Sequence, residues 1–257
     1  MEIKEKILII VFLWMGFSNA DSLYISHLEK EELFFSLTHS SIAKASAIIS
    51  ASSESLDDQP CLNIKAKVKT GRFADLFFHI DNHYSSIVEL PAWRLRLLSK
   101  VIDQTNIQQR WTTRFYPDKN IAKTGDGKTW TFDPKALDPF ALLYYVRFID
   151  PDIGDSLSIA VEVESQTWIL TGLVSRDTLE NGLFADQPLR RLTFEYNRNN
   201  NTPREWKTDL FTNRFAQKQA SLMIYLGPRP VSLPVRIVFG HPENNVKMDL
   251  TKYKFMD

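Results

Sequence analysis

Few residues in this chain are spaced for chemistry. Gly125-Asp126-Gly127-Lys128-Thr129 contains the GKT of a phosphate-binding loop, but Ala122 occupies the position of its first glycine. The lysine also runs into a strand-like stretch where phosphate binding needs a helix N-terminus, so a hairpin turn explains the motif better. His79 and His83 flank Asp81-Asn82 and could meet across a turn to hold a metal with Asp81. No third strong ligand stands nearby, and surface or packing histidines are the better account. Asp138, Asp150, Asp152 and Asp155 crowd the ends of one helical segment. Asp138 is explained as a helix cap and Asp152 as a turn former, which leaves no carboxylate pair for glycoside chemistry. There is no HExxH zinc helix and no GxSxG nucleophile elbow. Cys61 is the only cysteine, so an intramolecular disulfide and a thiolate metal cluster are both excluded; at the head of an alternating strand it reads as a small buried hydrophobe. The expectation is a protein that is not an enzyme, with no metal and no cofactor.

The chemistry that remains is binding. Within Asp138-Pro139-Phe140-Ala141-Leu142-Leu143-Tyr144-Tyr145-Val146-Arg147, Arg147 shares a helical face with Phe140, Leu143 and Tyr144. A guanidinium on an apolar face must be paired or it costs several kcal/mol. One solution is an internal ion pair with Asp150, Asp155 or a carboxylate on a strand; the other is a bound ligand whose acidic head meets Arg147 while its apolar part lies among aromatic rings. Alternation places Trp111 and Phe115 on one face of one strand. Trp111, Phe115, Tyr144, Tyr145 and Arg147 are therefore the candidate ligand-binding residues.

These residues have to be positioned by a framework made almost wholly of strands. The helix, expected over about 138–148, is the exception: Asp138 caps it, Pro139 suits its first turn, and no breaker follows until Pro151. It is apolar nearly all round and needs cover on both sides. Leu62, Ile64, Ala66 and Val68 alternate with Asn63, Lys65, Lys67 and Lys69, the mark of an antiparallel sheet with one wet face. Further strands are expected at 32–38, 42–50, 73–80, 84–90, 107–115, 121–124, 128–132, 157–163, 168–174, 189–196, 221–226, 231–239 and 246–255. Ser52 to Pro60 reads as a polar loop, Asp81-Asn82 as a turn, and Trp93 to Ile102 as irregular; Pro234 suggests an edge or a bulge. So many twisted strands curl rather than stay flat. The expected fold is all-β: a large curved antiparallel sheet forming an open, incompletely closed β-barrel, with the helix packed against its concave side.

Residues 1–20 read as a secretory signal peptide. Lys4 and Lys6 precede the apolar run Ile7 to Phe17, and Ser18-Asn19-Ala20 supplies small residues for cleavage. Residues 21–257 then form a single β-rich domain, exported to the periplasm. The formal net charge is zero, which gives no field to draw in nucleic acid or an anionic membrane. Charged wet faces and strands of unequal length argue against an integral membrane barrel and for a protein peripheral to the membrane at most.

Several segments resemble the bacterial domain-of-unknown-function 3108 family. They are LFFSLTHSSIAKASAIIS near the start, Leu90-Pro91 followed by a strand ending RFYPDKNIA, LDPFALLYYVRFIDPDIGDSLSI, and LMIYLGPRPVSLPVRIVFG near the end. Family proteins often carry glycines near the first hairpin, where this chain has Ser41 and Ala43. The resemblance implies a curved, open sheet similar to periplasmic lipoprotein carriers, whose concave side holds acyl chains, and it implies no catalytic residues. Two partners follow as expectations: a lipid or acylated ligand in the concavity, or another envelope protein bound along a sheet edge.

Overall fold

The structure is a computed structural model that describes residues 28, 30–39, 43–198, 209, 211–215 and 219–255. The expected signal peptide lies outside the described residues. Fourteen strands form one antiparallel sheet. They are β1 (Glu31–His39), β2 (Ala43–Leu56), β3 (Gln59–Thr70), β4 (Asp81–Glu89), β5 (Arg94–Gln104), β6 (Ile107–Tyr116), β7 (Ile121–Thr124) and β8 (Thr129–Thr131) in the first half. The second half holds β9 (Ser156–Val163), β10 (Gln166–Asp177), β11 (Leu189–Arg198), β12 (Ser221–Leu226), β13 (Pro234–Gly240) and β14 (Val246–Phe255). The spatial order runs β8 to β1 and then β14 back to β9, so every pair of bonded neighbours is consecutive in sequence except β1/β14, which joins the two halves.

This order leaves β8 and β9 as the two edges, and they face each other. Trp130 on β8 reaches Glu162 on β9, and the stretch after β8 runs parallel to β9, with the Glu162 N–H donating to the Leu137 carbonyl at 2.7 Å and the Leu137 N–H to the Ala160 carbonyl at 3.0 Å. The barrel is thus almost shut, but through one extended segment rather than a strand ladder.

Helix α2 (Pro139–Ile149) lies on the concave side, following the short helix α1 (Arg72–Asp75) in the chain. The Asp138 carboxylate accepts from the Phe140 N–H at 2.9 Å and the Ala141 N–H at 3.4 Å, as the cap predicted from the sequence requires, and it also takes the Ser86 hydroxyl of β4. One residue past its end, Asp150 adopts a left-handed conformation (φ 43°) and its carboxylate accepts from Arg190 at 2.6 Å. Between these anchors Phe140, Ala141, Leu142, Leu143, Tyr144, Val146 and Arg147 are all buried. Phe140 packs on Tyr84 and Phe211, and Trp93 on Tyr145 and Phe148.

Four expectations need correction. The polar stretch Ser52 to Pro60 is not a loop but the far end of the β2/β3 hairpin, closed by Asp57-Asp58 with φ of 52° and 60°. It projects where neither face is covered, so no apolar alternation marks it. Trp93 to Ile102 is mostly strand β5, and its half-covered faces at Leu97 to Lys100 blur the period. Phe73 to Ile80 is not a strand, and Asp81-Asn82 is not a turn: the first is α1 with an open stretch after it, the second the start of β4. Pro234 opens β13 beside a register shift at Tyr225/Leu226, as its position suggested.

The Arg147 guanidinium meets the Glu31 carboxylate of β1 through both outer nitrogens, one at 2.9 Å, with the two residues 0% and 1% exposed. Removing one partner strands a buried charge. Arg147→Ala should therefore lower unfolding stability by about 3–5 kcal/mol in urea titrations, and Glu31→Leu combined with Arg147→Met should be more stable than either single change.

Candidate functional site

The structure does not bring the five candidate residues together. Trp111 and Phe115 line one space at the barrel seam, with Trp130, Lys100 and Glu162 around it, but its volume is about 30 Å³. That holds about one or two waters and no acyl chain. Tyr145 instead lines a shallow groove beside Trp93 and Ala160. Tyr144 is fully buried with the Arg147 guanidinium 5.3 Å from its ring centre. Arg147 is engaged by Glu31, the strand carboxylate allowed for from the sequence, and so faces no ligand space. Periodicity placed these residues on common faces, but it could not show that α2 itself fills the concavity they were expected to line.

The seam is a closed polar cluster. Lys100 Nζ donates to Glu164 Oε1 at 2.5 Å and to Thr212 Oγ1 at 3.2 Å, and Thr212 Oγ1 lies between the Glu164 and Asp209 carboxylates. Asp209 also accepts from Tyr84 (2.6 Å), Gln104 (3.1 Å), Asn82 (3.2 Å) and the Phe211 N–H (2.8 Å). Glu162 accepts from Trp130 Nε1 at 2.9 Å and Thr167 Oγ1 at 2.8 Å. Burial opposes the charge on Lys100, yet the nearby Glu164 and Asp209 outweigh it and hold its pKa above the ordinary lysine value. Burial pushes the Glu162 carboxyl up to about 7, against the pull of its two donors. These contacts tie Lys100 of β5 to Glu164 and Thr212, and Trp130 of β8 to Glu162 of β9.

The groove at Tyr145 measures about 370 Å³; a slightly larger and more apolar space lies elsewhere. A cavity of about 410 Å³ opens at the mouth formed by the ends of β1, β2, β3 and β14. Its floor and walls are apolar, with Leu37, Ala45, Val68, Ile80, Phe211 and Val246, and its polar lining includes His39 and Arg214. Arg214 Nη1 donates to the Asn244 carbonyl at 2.6 Å, and among the described residues no carboxylate pairs with it. Partial burial draws its pKa below the usual arginine value, the direction expected of a cation without a counter-charge. His39, hydrogen-bonded to Asn244, has its pKa lowered by burial and then by the Arg214 charge, so it is neutral at pH 7. Phe78, from the stretch after α1, forms part of the wall. Phe73, Leu76 and Phe77 beside it are 77–79% exposed.

Sequence reasoning missed Arg214 and the Phe78 wall. The run Phe73-Ala74-Asp75-Leu76-Phe77-Phe78 was there to be seen, but it reads as a strand; nothing around Arg214 marks a site. His79 and His83 do not converge: His79 Nδ1 lies 2.7 Å from Asp75, His83 Nε2 lies 3.2 Å from Asp81, and Asp81 also bridges Lys67 and Lys69. Among the described residues no group of His, Cys, Asp and Glu is arranged to hold a metal.

No family model matches the chain, and neither does any curated protein. A solved structure does: a β-barrel-like protein of the domain of unknown function 1849 from Brucella abortus, with a TM-score of 0.55 and 8% identity, covering 90% of this chain and 99% of that one. At that identity the likeness shows the fold. The chain is thus similar to a bacterial β-barrel-like protein of unknown function, and it shares the open, single-sheet architecture expected from its strands.

The seam makes a pH-dependent prediction. Folded Glu162 keeps its proton up to about pH 7, whereas unfolded it releases it near 4.5. Its ionisation cost is absent below the lower value and fully present above the upper one, so stability falls as pH rises between them. Glu162→Gln removes that slope: relative to wild type, the variant should gain about 3 kcal/mol on going from pH 4.5 to pH 8, read by urea unfolding at the two pH values.

Proposed function

We propose that this protein is an exported, non-enzymatic binder of an anionic amphiphile, which it holds at the barrel mouth. The observation that carries the reading is the apolar cavity of about 410 Å³ with Arg214 in its lining and, among the described residues, no carboxylate to answer it. Ligand pockets typically run from about 300 to 1,000 Å³, mostly apolar with a few polar groups that orient the ligand. A single acyl chain would lie along Leu37, Val68 and Phe78, and a carboxylate or phosphate head would take the remaining donors of Arg214. Neutral His39 would bring no competing charge. Periplasmic location, and kinship with the domain-of-unknown-function 3108 family, belong to the same proposal; they rest on the N-terminal and segment patterns in the sequence.

The reading as an envelope scaffold that binds a protein along a sheet edge has less to support it. β8 offers only Thr129–Thr131, and β9 is already bonded by Leu137.

Titration with a fluorescent fatty acid tests the proposal. Ala45→Trp, which fills the cavity, should abolish binding. Arg214→Ala should weaken the fatty acid about tenfold and leave the corresponding fatty alcohol unchanged. Equal binding of acid and alcohol to wild type and Arg214→Ala would remove Arg214 from the site; saturable binding to Ala45→Trp would remove the cavity.

A further inference from the structure

The loop at the rim of that cavity has a composition the barrel does not need. In residues 71–78 the side chains of Phe73, Leu76 and Phe77 are 79%, 77% and 79% exposed, and the Phe73 and Phe77 rings stand edge to face at 6.0 Å. Three large apolar groups held clear of the core at one tip are unusual for a surface loop. The loop is also built to keep its acid away from them. Asp75 is drawn back by the Thr70 hydroxyl and by His79 Nδ1, both at 2.7 Å, and these hydrogen bonds hold its carboxyl below the usual range. Arg72 at the tip is exposed and pairs with no carboxylate among the described residues, while the carboxylate of Asp75 is taken up by those two partners.

We infer that this tip is a docking surface for an anionic bilayer, with Phe73, Leu76 and Phe77 inserted at the level of the headgroups and Arg72 against a lipid phosphate. Size separates a bilayer from a protein partner. Three such side chains offer on the order of 400 Å², against about 800 Å² on each side of a stable protein interface. A small apolar wedge with an adjacent cation is instead what interfacial binding uses. Continuity points the same way, because Phe78 carries the apolar surface from the tip into the cavity wall. An amphiphile could pass between bilayer and cavity along it. This purpose rests on the ligand reading, although the docking geometry does not.

The test is a dye at the tip. Cys61, the only cysteine, is buried, so Phe77→Cys labels at one place with an environment-sensitive nitrobenzoxadiazole. Vesicles of phosphatidylethanolamine and phosphatidylglycerol should shift its emission to the blue, and spin-labelled lipid should quench it. In the same labelled protein, Phe73→Ser with Leu76→Ser should weaken the response at least about tenfold, and Arg72→Ser should remove its preference for phosphatidylglycerol over phosphatidylcholine. Far-UV circular dichroism should match wild type, since the substituted side chains lie outside the core. Emission that stays water-like with every vesicle would overturn the inference, as would a response insensitive to the serine changes. A shift with soluble envelope proteins but not with vesicles would overturn it in favour of a protein partner. Ala45→Trp keeps the two readings apart: it should keep the vesicle response while losing the fatty acid. No vesicle response from the labelled Phe77→Cys protein with Phe73, Leu76 and Arg72 intact, while it still binds fatty acid, would sink the docking surface alone.

Discussion

A guanidinium shut away from water must find a carboxylate with matching geometry, and in this molecule that requirement ties the helix to the sheet. Arg147 leaves α2 inside the barrel and meets Glu31 at the first residue of β1, with both outer nitrogens engaged. β1 is the strand that joins the two halves of the sheet through β14. The pair thus links the helix to the place where the chain's two ends are sewn together. A buried pair of this kind is weak evidence of net stability, since apolar residues of similar volume often do as well. Its value is in orientation: of all the ways a nearly uniformly apolar helix could roll inside a barrel, one places Arg147 opposite Glu31.

With α2 fixed in that way, the distribution of open space follows. The helix occupies the concave side along its length, held at one end by Asp138 against Ser86 and at the other by Asp150 against Arg190. The seam beyond it closes over charged groups that satisfy one another and leaves room for little more than water. Only toward the mouth, where β1, β2, β3 and β14 run past the helix, do inward-facing Leu37, Val68 and Val246 lack a helical partner. The position of the cavity is therefore a consequence of the helix being shorter than the barrel it fills. Arg214 lines the same space, and among the described residues no carboxylate pairs with it, whereas Arg147 meets Glu31.

What the sequence made legible divides along this line. The cap at Asp138, the helix, the open all-β sheet and the burial of Cys61 all depend on local patterns, and all are present. Strands with one clean wet face, such as β3, could be read directly; those that project beyond the barrel or are half covered on both faces, such as the end of β2 and much of β5, could not. The Phe73 to Phe78 run was misread for a physical reason. Apolar residues in a short row indicate burial in a strand only when something covers them, and coverage is a tertiary fact. Likewise the sequence marks Arg147 as a candidate for an anion and leaves Arg214 unmarked. The structure separates them by a contact across more than a hundred residues that no periodicity encodes.

The two charged clusters also divide the work of keeping the barrel in shape. The Arg147–Glu31 pair lies where strands are hydrogen-bonded continuously, so it orients elements that the ladder already holds. The Lys100, Glu162 and Glu164 cluster lies beside the edges that form no ladder with each other, where Trp130 of β8 bonds Glu162 of β9 in addition to the backbone bonds that Leu137 makes to β9. Side-chain bonds of this kind depend on protonation, whereas backbone bonds do not, so the seam is the part of the barrel whose cohesion varies with pH. Glu162 receives its two donors as a carboxylate, yet burial favours its protonated form. Near neutral pH these demands are close to balance. The mouth is coupled to that seam through one short segment: Phe211 and Arg214 line the cavity, while Asp209 and Thr212 beside them are held by the seam's own hydrogen bonds.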